Sequence, residues 1–175
     1  MSAIATVPAD VDLVPYLSGD AGSVESFASD LLSVAVTLDD LDSTAQASAT
    51  YEGWEGDAAQ SYESYVVAAA ENAQAMSLAL RAVVRAADEY GVELARLLGE
   101  RDRLVEARLG FNGDCDVLRA DLVGALPEDT AALQTRATEL VMRRAGIVDD
   151  VGRLETDTEA NESALRAVLH AHRDL

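Results

Sequence analysis

The chain has 175 residues and carries 32 acidic against 13 basic side chains, all 13 of them arginine. That length suits one ordinary domain with a core, and the acidity excludes phosphate-rich partners, so neither nucleic acid nor an anionic membrane surface is an expected ligand. The first 80 residues hold 13 acids and no base, a surface suited to a basic protein partner, and the same charge keeps an alanine-rich helical protein in solution.

Residues 1–19 are aperiodic, contain Pro8 and Pro15, and read as an extended lead-in. No positively charged region followed by an apolar run opens the chain, so no cleavable signal peptide is expected. No stretch approaches about 18 uninterrupted apolar residues, so no membrane span is expected either. The first helix is predicted to begin at Asp20 or Ser23, either of which can cap free amides. Val24, Phe27, Leu31, Val34, Leu38, Leu41 and Ala45 alternate spacings of three and four, a coiled-coil-like seam. The pattern fades at Ser48 and Thr50 into Tyr51-Glu52-Gly53-Trp54-Glu55-Gly56, which holds the single tryptophan between two glycines.

Asp57 and Gln60 have a capping-box spacing for a second helix. Its seam is Tyr62, Tyr65, Ala69, Ala73, Met76, Leu80, Val83, Ala87, Tyr90, Leu94, Leu97 and Leu104, with Arg101 in the same register. This helix is predicted over 58–109, roughly 80 Å at 1.5 Å per residue, with a C-cap at Gly110 and soft points at Gly91 and Gly99. Phe111-Asn112-Gly113 is predicted to be a turn. Asp114 then caps a short helix, about 115–125, that must stop before Pro127. A last helix is predicted from Asp129 or Thr130 with the seam Leu133, Ala137, Leu140, Ile147, Val151, Leu154, Leu165 and Val168. Arg144, Thr158, Asn161 and His172 interrupt it.

The first helix, about 26 residues, covers only about 40 Å of the second. The last helix is therefore expected to return antiparallel along the remainder. The predicted fold is all-α: one domain, an elongated antiparallel helical bundle. A hairpin over 20–110 would carry a short helix and a long returning helix over 111–175. One side of such a hairpin stays open, so a second chain is expected to complete a dimer or heterodimer. Alanines 69, 73 and 87 would permit close helix approach.

A helix, a turn reading Trp54-Glu55-Gly56 and a second helix opening Ala58-Ala59 with an aromatic at Tyr62 resemble the WXG family of type VII secretion substrates. Tyr90, Leu94 and Ala95 sit in a helix similar to that of longer actinobacterial relatives, which are secretion-targeting domains at toxin N-termini. The resemblance covers about residues 20–110. It implies export in the folded state, pairing with itself or with a small WXG-like partner, and reading by a secretion ATPase. It makes Gly53, Trp54 and Gly56 a recognition turn. It makes Val24, Phe27, Leu31, Val34, Leu38, Leu41, Tyr62, Tyr65, Met76, Leu80, Tyr90 and Leu94 a partner interface. The family's export signal adds a Tyr-x-x-x-Asp/Glu element beyond the second helix. Here that spacing occurs at Tyr16 to Asp20 and Tyr51 to Glu55, while Tyr90 is followed by Leu94. Other readings are an intracellular helical adaptor unrelated to secretion, or the non-catalytic leader of a toxin.

Catalysis is not expected. Cys115 is alone and reads as a small semi-buried residue, with no disulfide or cysteine metal cluster. His170 and His172 are two apart and do not share a helical face, a poor metal pair. The runs Asp149-Asp150 and Asp39-Asp40 with Asp42 read as solvated faces. No glycine loop cradles a phosphate, and no cofactor is expected.

Overall fold

The computed structural model describes residues 5–48 and 55–173. Among the described residues the helices are α1 (Ala21–Ser48), α2 (Asp57–Val123) and α3 (Thr130–Ala171), with a 3-10 turn at Pro127–Asp129 and no strand. The protein is an all-α helical bundle. Two compact units divide the chain: Met1–Ser18 with Ala95–Ala160, and Gly19–Leu94 with Asn161–Leu175.

In the first unit α2 and α3 run antiparallel. Arg96 pairs with Asp157 at 2.9 Å, Arg143 with Asp114 at 2.6 Å, and Arg136 with Asp121 at 2.7 Å, so numbers fall on one helix as they rise on the other. These exposed pairs set register more than stability. Stability comes from the apolar stripe beneath them. Phe111, Cys115 and Leu118 of α2 pack with Ala137, Leu140 and Ile147 of α3. Leu97 and Leu104 pack with Leu154. Each fully buried leucine contributes about 1.5–3 kcal/mol relative to exposure. The lead-in also joins this core: Ala5 and Val11 enter the first cluster, Val14 and Leu17 the second.

The turn predicted at 111–113 is absent. α2 does not stop at Gly110 and the short helix at 115–125 is not separate, because one helix continues to Val123. Leu97, Leu104, Phe111 and Leu118 recur every seven residues and are all buried, so the stripe crosses Gly110 and Gly113 without a break. A glycine within a helix costs about 1 kcal/mol, less than the burial of Phe111 recovers. Neither glycine has a positive φ. A Cβ at Gly113 would meet nothing within 4 Å. Gly113→Ala is therefore expected to raise stability by about 0.5–1 kcal/mol. A thermal or urea melt reads the sign, and destabilisation would indicate a turn at this point.

In the second unit α1 lies antiparallel to the early part of α2. Asp20 opens α1: its carboxylate accepts from the amides of Gly22 and Ser23 at 3.3 and 3.0 Å and from the Ser23 hydroxyl at 2.7 Å. These bonds, the hydroxyl's first, hold the Asp20 carboxyl below its usual value. The inward face of α1 is Ala28 and Ala35, flanked by Val24 and Leu31, against Val84 and Ala87 of α2. This differs from the predicted seam. Phe27, Val34 and Leu41 are 51, 50 and 56% exposed. On α2 the buried residues of this unit are Val66, Ala70, Ala73, Ser77, Ala79, Val83, Val84, Ala87 and Leu94, so the predicted seam holds at Ala73, Val83, Ala87 and Leu94, while Tyr62, Tyr65, Ala69 and Met76 are exposed. The contact face is thus shifted by one position at Ala28 and Ala35 of α1 and at Val66, Ala70 and Ser77 of α2, while the rest of each predicted seam, Leu41 and Tyr62 apart, stays buried or half-buried. Small residues occupy the crossing, and that allows close approach.

Ser77 is buried at this crossing. Its hydroxyl lies 3.2 Å from the Ala35 carbonyl oxygen and also donates to the Asp39 carboxylate, which pairs with Arg81. The Ser77 bond, followed by that of Arg81, holds the Asp39 carboxyl below its ordinary 3.8. A depressed folded-state value contributes stability above the unfolded value, and that stability is lost as pH falls through the folded one. Asp39→Asn is therefore expected to melt below the parent at pH 7. The gap should close as pH falls below about 3.8, as paired melting curves across that range would read.

Candidate functional site

The region singled out by sequence is the connection between α1 and α2. Gly53 and Trp54 lie outside the described residues. Gly56 lies within them, exposed and with φ +104°, a conformation that L side chains rarely adopt. Its carbonyl accepts the Gln60 amide at 3.2 Å. Gly56 therefore stands at the entry to α2, and Asp57 falls in the first turn, where its charge suits the helix dipole. The glycine of the Trp-x-Gly triplet thus has a backbone reason of its own.

The predicted interface residues separate into three groups. Val24, Leu31 and Leu94 pack within the unit: the first two against Ala28, Val84 and Ala87, and Leu94 against Gly19. Leu38, Leu80 and Tyr90 are half-buried. Phe27, Val34, Leu41, Tyr62, Tyr65 and Met76 point outward. Val34 precedes the contact residue Ala35 by one position, and Met76 precedes Ser77 by one. In an antiparallel pair those positions turn to the same side of the contact. Asp39 and Arg81, each four residues after a contact residue, turn to the other side and pair there. One side of the hairpin therefore carries Val34 and Met76 from the two helices, and the other carries the Asp39–Arg81 pair together with the exposed Val36 and Leu78.

Cys115 is fully buried in the first unit's core. Burial pushes its thiol above the usual value, against the opposing charge of Arg119. Among the described residues no group of three or more His, Cys, Asp and Glu side chains could hold a metal ion, and no helix is long and apolar enough to cross a membrane.

Sequence reasoning noted Arg101 and Arg144 only as polar breaks in the apolar seams and gave Arg108 and Asn112 no binding role. Arg101, Arg108, Asn112 and Arg144 project from α2 and α3 and hydrogen-bond the main chain of residues 9–15. A signal did exist. Ala5, Pro8, Val11, Val14 and Leu17 recur every third residue, a period not used in a search for helices and strands.

Comparison with protein-family models, with curated proteins and with solved structures finds no match.

Proposed function

We propose that this chain is a WXG-like substrate or secretion-targeting domain of a type VII secretion system, acting by helical pairing and by presentation of a Trp-x-Gly turn, without catalysis. The observation that carries the reading is the position of the motif. α1 ends at Ser48 and α2 begins at Asp57. Residues 49–56, with Trp54 and Gly56, therefore connect two antiparallel helices that pack on each other. The outward stripe of Phe27, Val34, Leu41, Tyr62, Tyr65 and Met76 supports a protein partner. The excess of acids in the first 80 residues favours a basic rim on that partner.

The test is export. The tagged chain is expressed in an actinobacterial host with and without an active type VII ATPase, alone and with a co-expressed WXG-like partner. The expected result is appearance in the medium only with the ATPase. Retention under all four conditions would favour an intracellular helical adaptor. Trp54→Ala is expected to reduce export severely with little change in melting midpoint. A stability loss of about 3–5 kcal/mol would instead identify Trp54 as a core residue.

A further inference from the structure

We propose that the groove between α2 and α3 in the first unit is a recognition site for an extended, acid-flanked peptide, and that residues 5–17 occupy it as a ligand in cis. The proposal is independent of the secretion reading.

The burial pattern carries the first step. Ala5, Val11, Val14 and Leu17 are buried and Pro8 is half-buried, while Leu13 and Tyr16 between them are 78 and 80% exposed. A period of three matches the extended left-handed helix of proline-containing segments, which has three residues per turn and leaves its backbone groups free to bond outward. Val7 and Pro15, half-buried, fill the edges of the same face.

The polar contacts carry the second step. Among the described residues no main-chain hydrogen bond joins this segment to the helices. Helix side chains bond its main chain instead. Arg144 Nε donates to the Ala9 carbonyl at 2.9 Å, Arg108 Nε to the Val11 carbonyl at 3.0 Å, and Arg101 Nε to the Pro15 carbonyl at 3.2 Å. Asn112 bonds both main-chain groups of Val11: its Oδ1 accepts the amide at 3.0 Å and its Nδ2 donates to the carbonyl at 3.3 Å. This side-chain amide reads an extended main chain whatever side chain it carries. Apolar pockets at every third residue, with side-chain donors aimed at the carbonyls between, are the chemistry by which grooves bind extended peptides.

Charge fixes the ligand class. Arg119 pairs with Asp10 at 2.6 Å, and the Arg101 guanidinium lies 5.4 Å from the centre of the Tyr16 ring. Four of the 13 arginines thus contact one short segment in a strongly acidic protein. The preferred ligand is an extended peptide with an apolar residue at every third position and a carboxylate beside the central one, where Asp10 precedes Val11. A segment from another chain must displace the lead-in, which competes at the high effective concentration of a tethered ligand.

The experiment keeps the full chain and disables its own ligand. In a Val11→Asp/Val14→Asp variant the lead-in leaves the groove, and a fluorescein-labelled synthetic peptide of residues 5–18 is titrated by anisotropy. Expected are retained helical circular dichroism, saturable one-to-one binding, and binding at least about tenfold weaker to the parent chain, whose groove is filled. Adding Asn112→Ala to the variant should abolish binding. A peptide with one residue inserted between Val11 and Val14, which breaks the period of three, should not bind. Intact helices without saturable binding, or binding indifferent to the insertion, would overturn the proposal. So would loss of helicity in the double variant, since the lead-in would then be an integral part of the core.

Discussion

Replacing Phe111 by alanine is expected to lower stability by about 3–5 kcal/mol. Phe111 is the largest of the fully buried side chains, at 0% exposure, and its cluster draws on three parts of the chain. The lead-in contributes Ala5 and Val11, α2 contributes Cys115 and Leu118, and α3 contributes Ala137, Leu140 and Ile147. Removing the ring takes away its transfer energy and leaves a cavity that helices fixed on both sides cannot close. Phe111 also offsets the helix-weakening residues around it, since Gly110 and Gly113 flank it and Asn112 lies between. Alanine is the better helix former, but that gain is a few tenths of a kcal/mol and does not change the sign. For a protein of this size the melting midpoint should fall by roughly 2–4 °C for each kcal/mol. Phe111→Leu should cost less than about 1.5 kcal/mol, because shape and apolarity are largely kept. Urea titration followed at 222 nm and by a second probe measures both, with coincidence of the probes checking the two-state treatment. A loss below about 1 kcal/mol for Phe111→Ala would fit an exposed turn residue and not a core anchor.

The same residue shows where sequence reasoning stopped. Gly110 and Phe111-Asn112-Gly113 carry the composition of a C-cap and turn, and local composition points to a break. The deciding information lies at longer range, in the recurrence of apolar residues from Leu97 to Leu118 and in what α3 places opposite them. Helix starts were legible because the cap is local: Asp20 accepts the first amides of α1, and α3 begins at Thr130, directly after the Pro127–Asp129 turn. The α3 seam was legible because large apolar residues and one alanine fall on a single stripe, and Ala137, Leu140, Ile147 and Leu154 are buried as the spacing required. Residues 5–20 carry no regular secondary structure, and the burial of Ala5, Val11, Val14 and Leu17 was not legible, since a repeat of three matches neither helix nor strand. As for the candidate turn, Gly56 has a backbone conformation that accounts for glycine there, whereas Gly53 and Trp54 rest on the sequence motif.

The inward face of α1 was misread for a different reason, and it supports the other large prediction. α1 carries two adjacent stripes: Phe27, Val34 and Leu41, bulky and apolar, and Ala28 and Ala35, small. Periodicity weights the bulky stripe. The α1–α2 contact takes the small one, because alanine and the buried Ser77 let the backbones come close enough for the Ser77 hydroxyl to lie 3.2 Å from the Ala35 carbonyl. Ala35→Leu is therefore expected to destabilise by about 1–3 kcal/mol, since added methylenes at a fully packed crossing force the helices apart. The adjacent Val34→Ser should stay within about 0.5 kcal/mol, as for an ordinary surface change. The comparison fixes the register: a costly Val34→Ser with a tolerated Ala35→Leu would place the bulky stripe inside. It also separates stability from association. If the stripe of Phe27, Val34 and Leu41 meets a partner helix, Val34→Ser should leave the monomer's melting curve unchanged yet weaken co-purification with that partner. Ala35→Leu should shift the melting curve first and reduce association only through the loss of folded protein. Melting and pull-down on the two variants distinguish a face that holds the hairpin together from one that faces outward to a second chain.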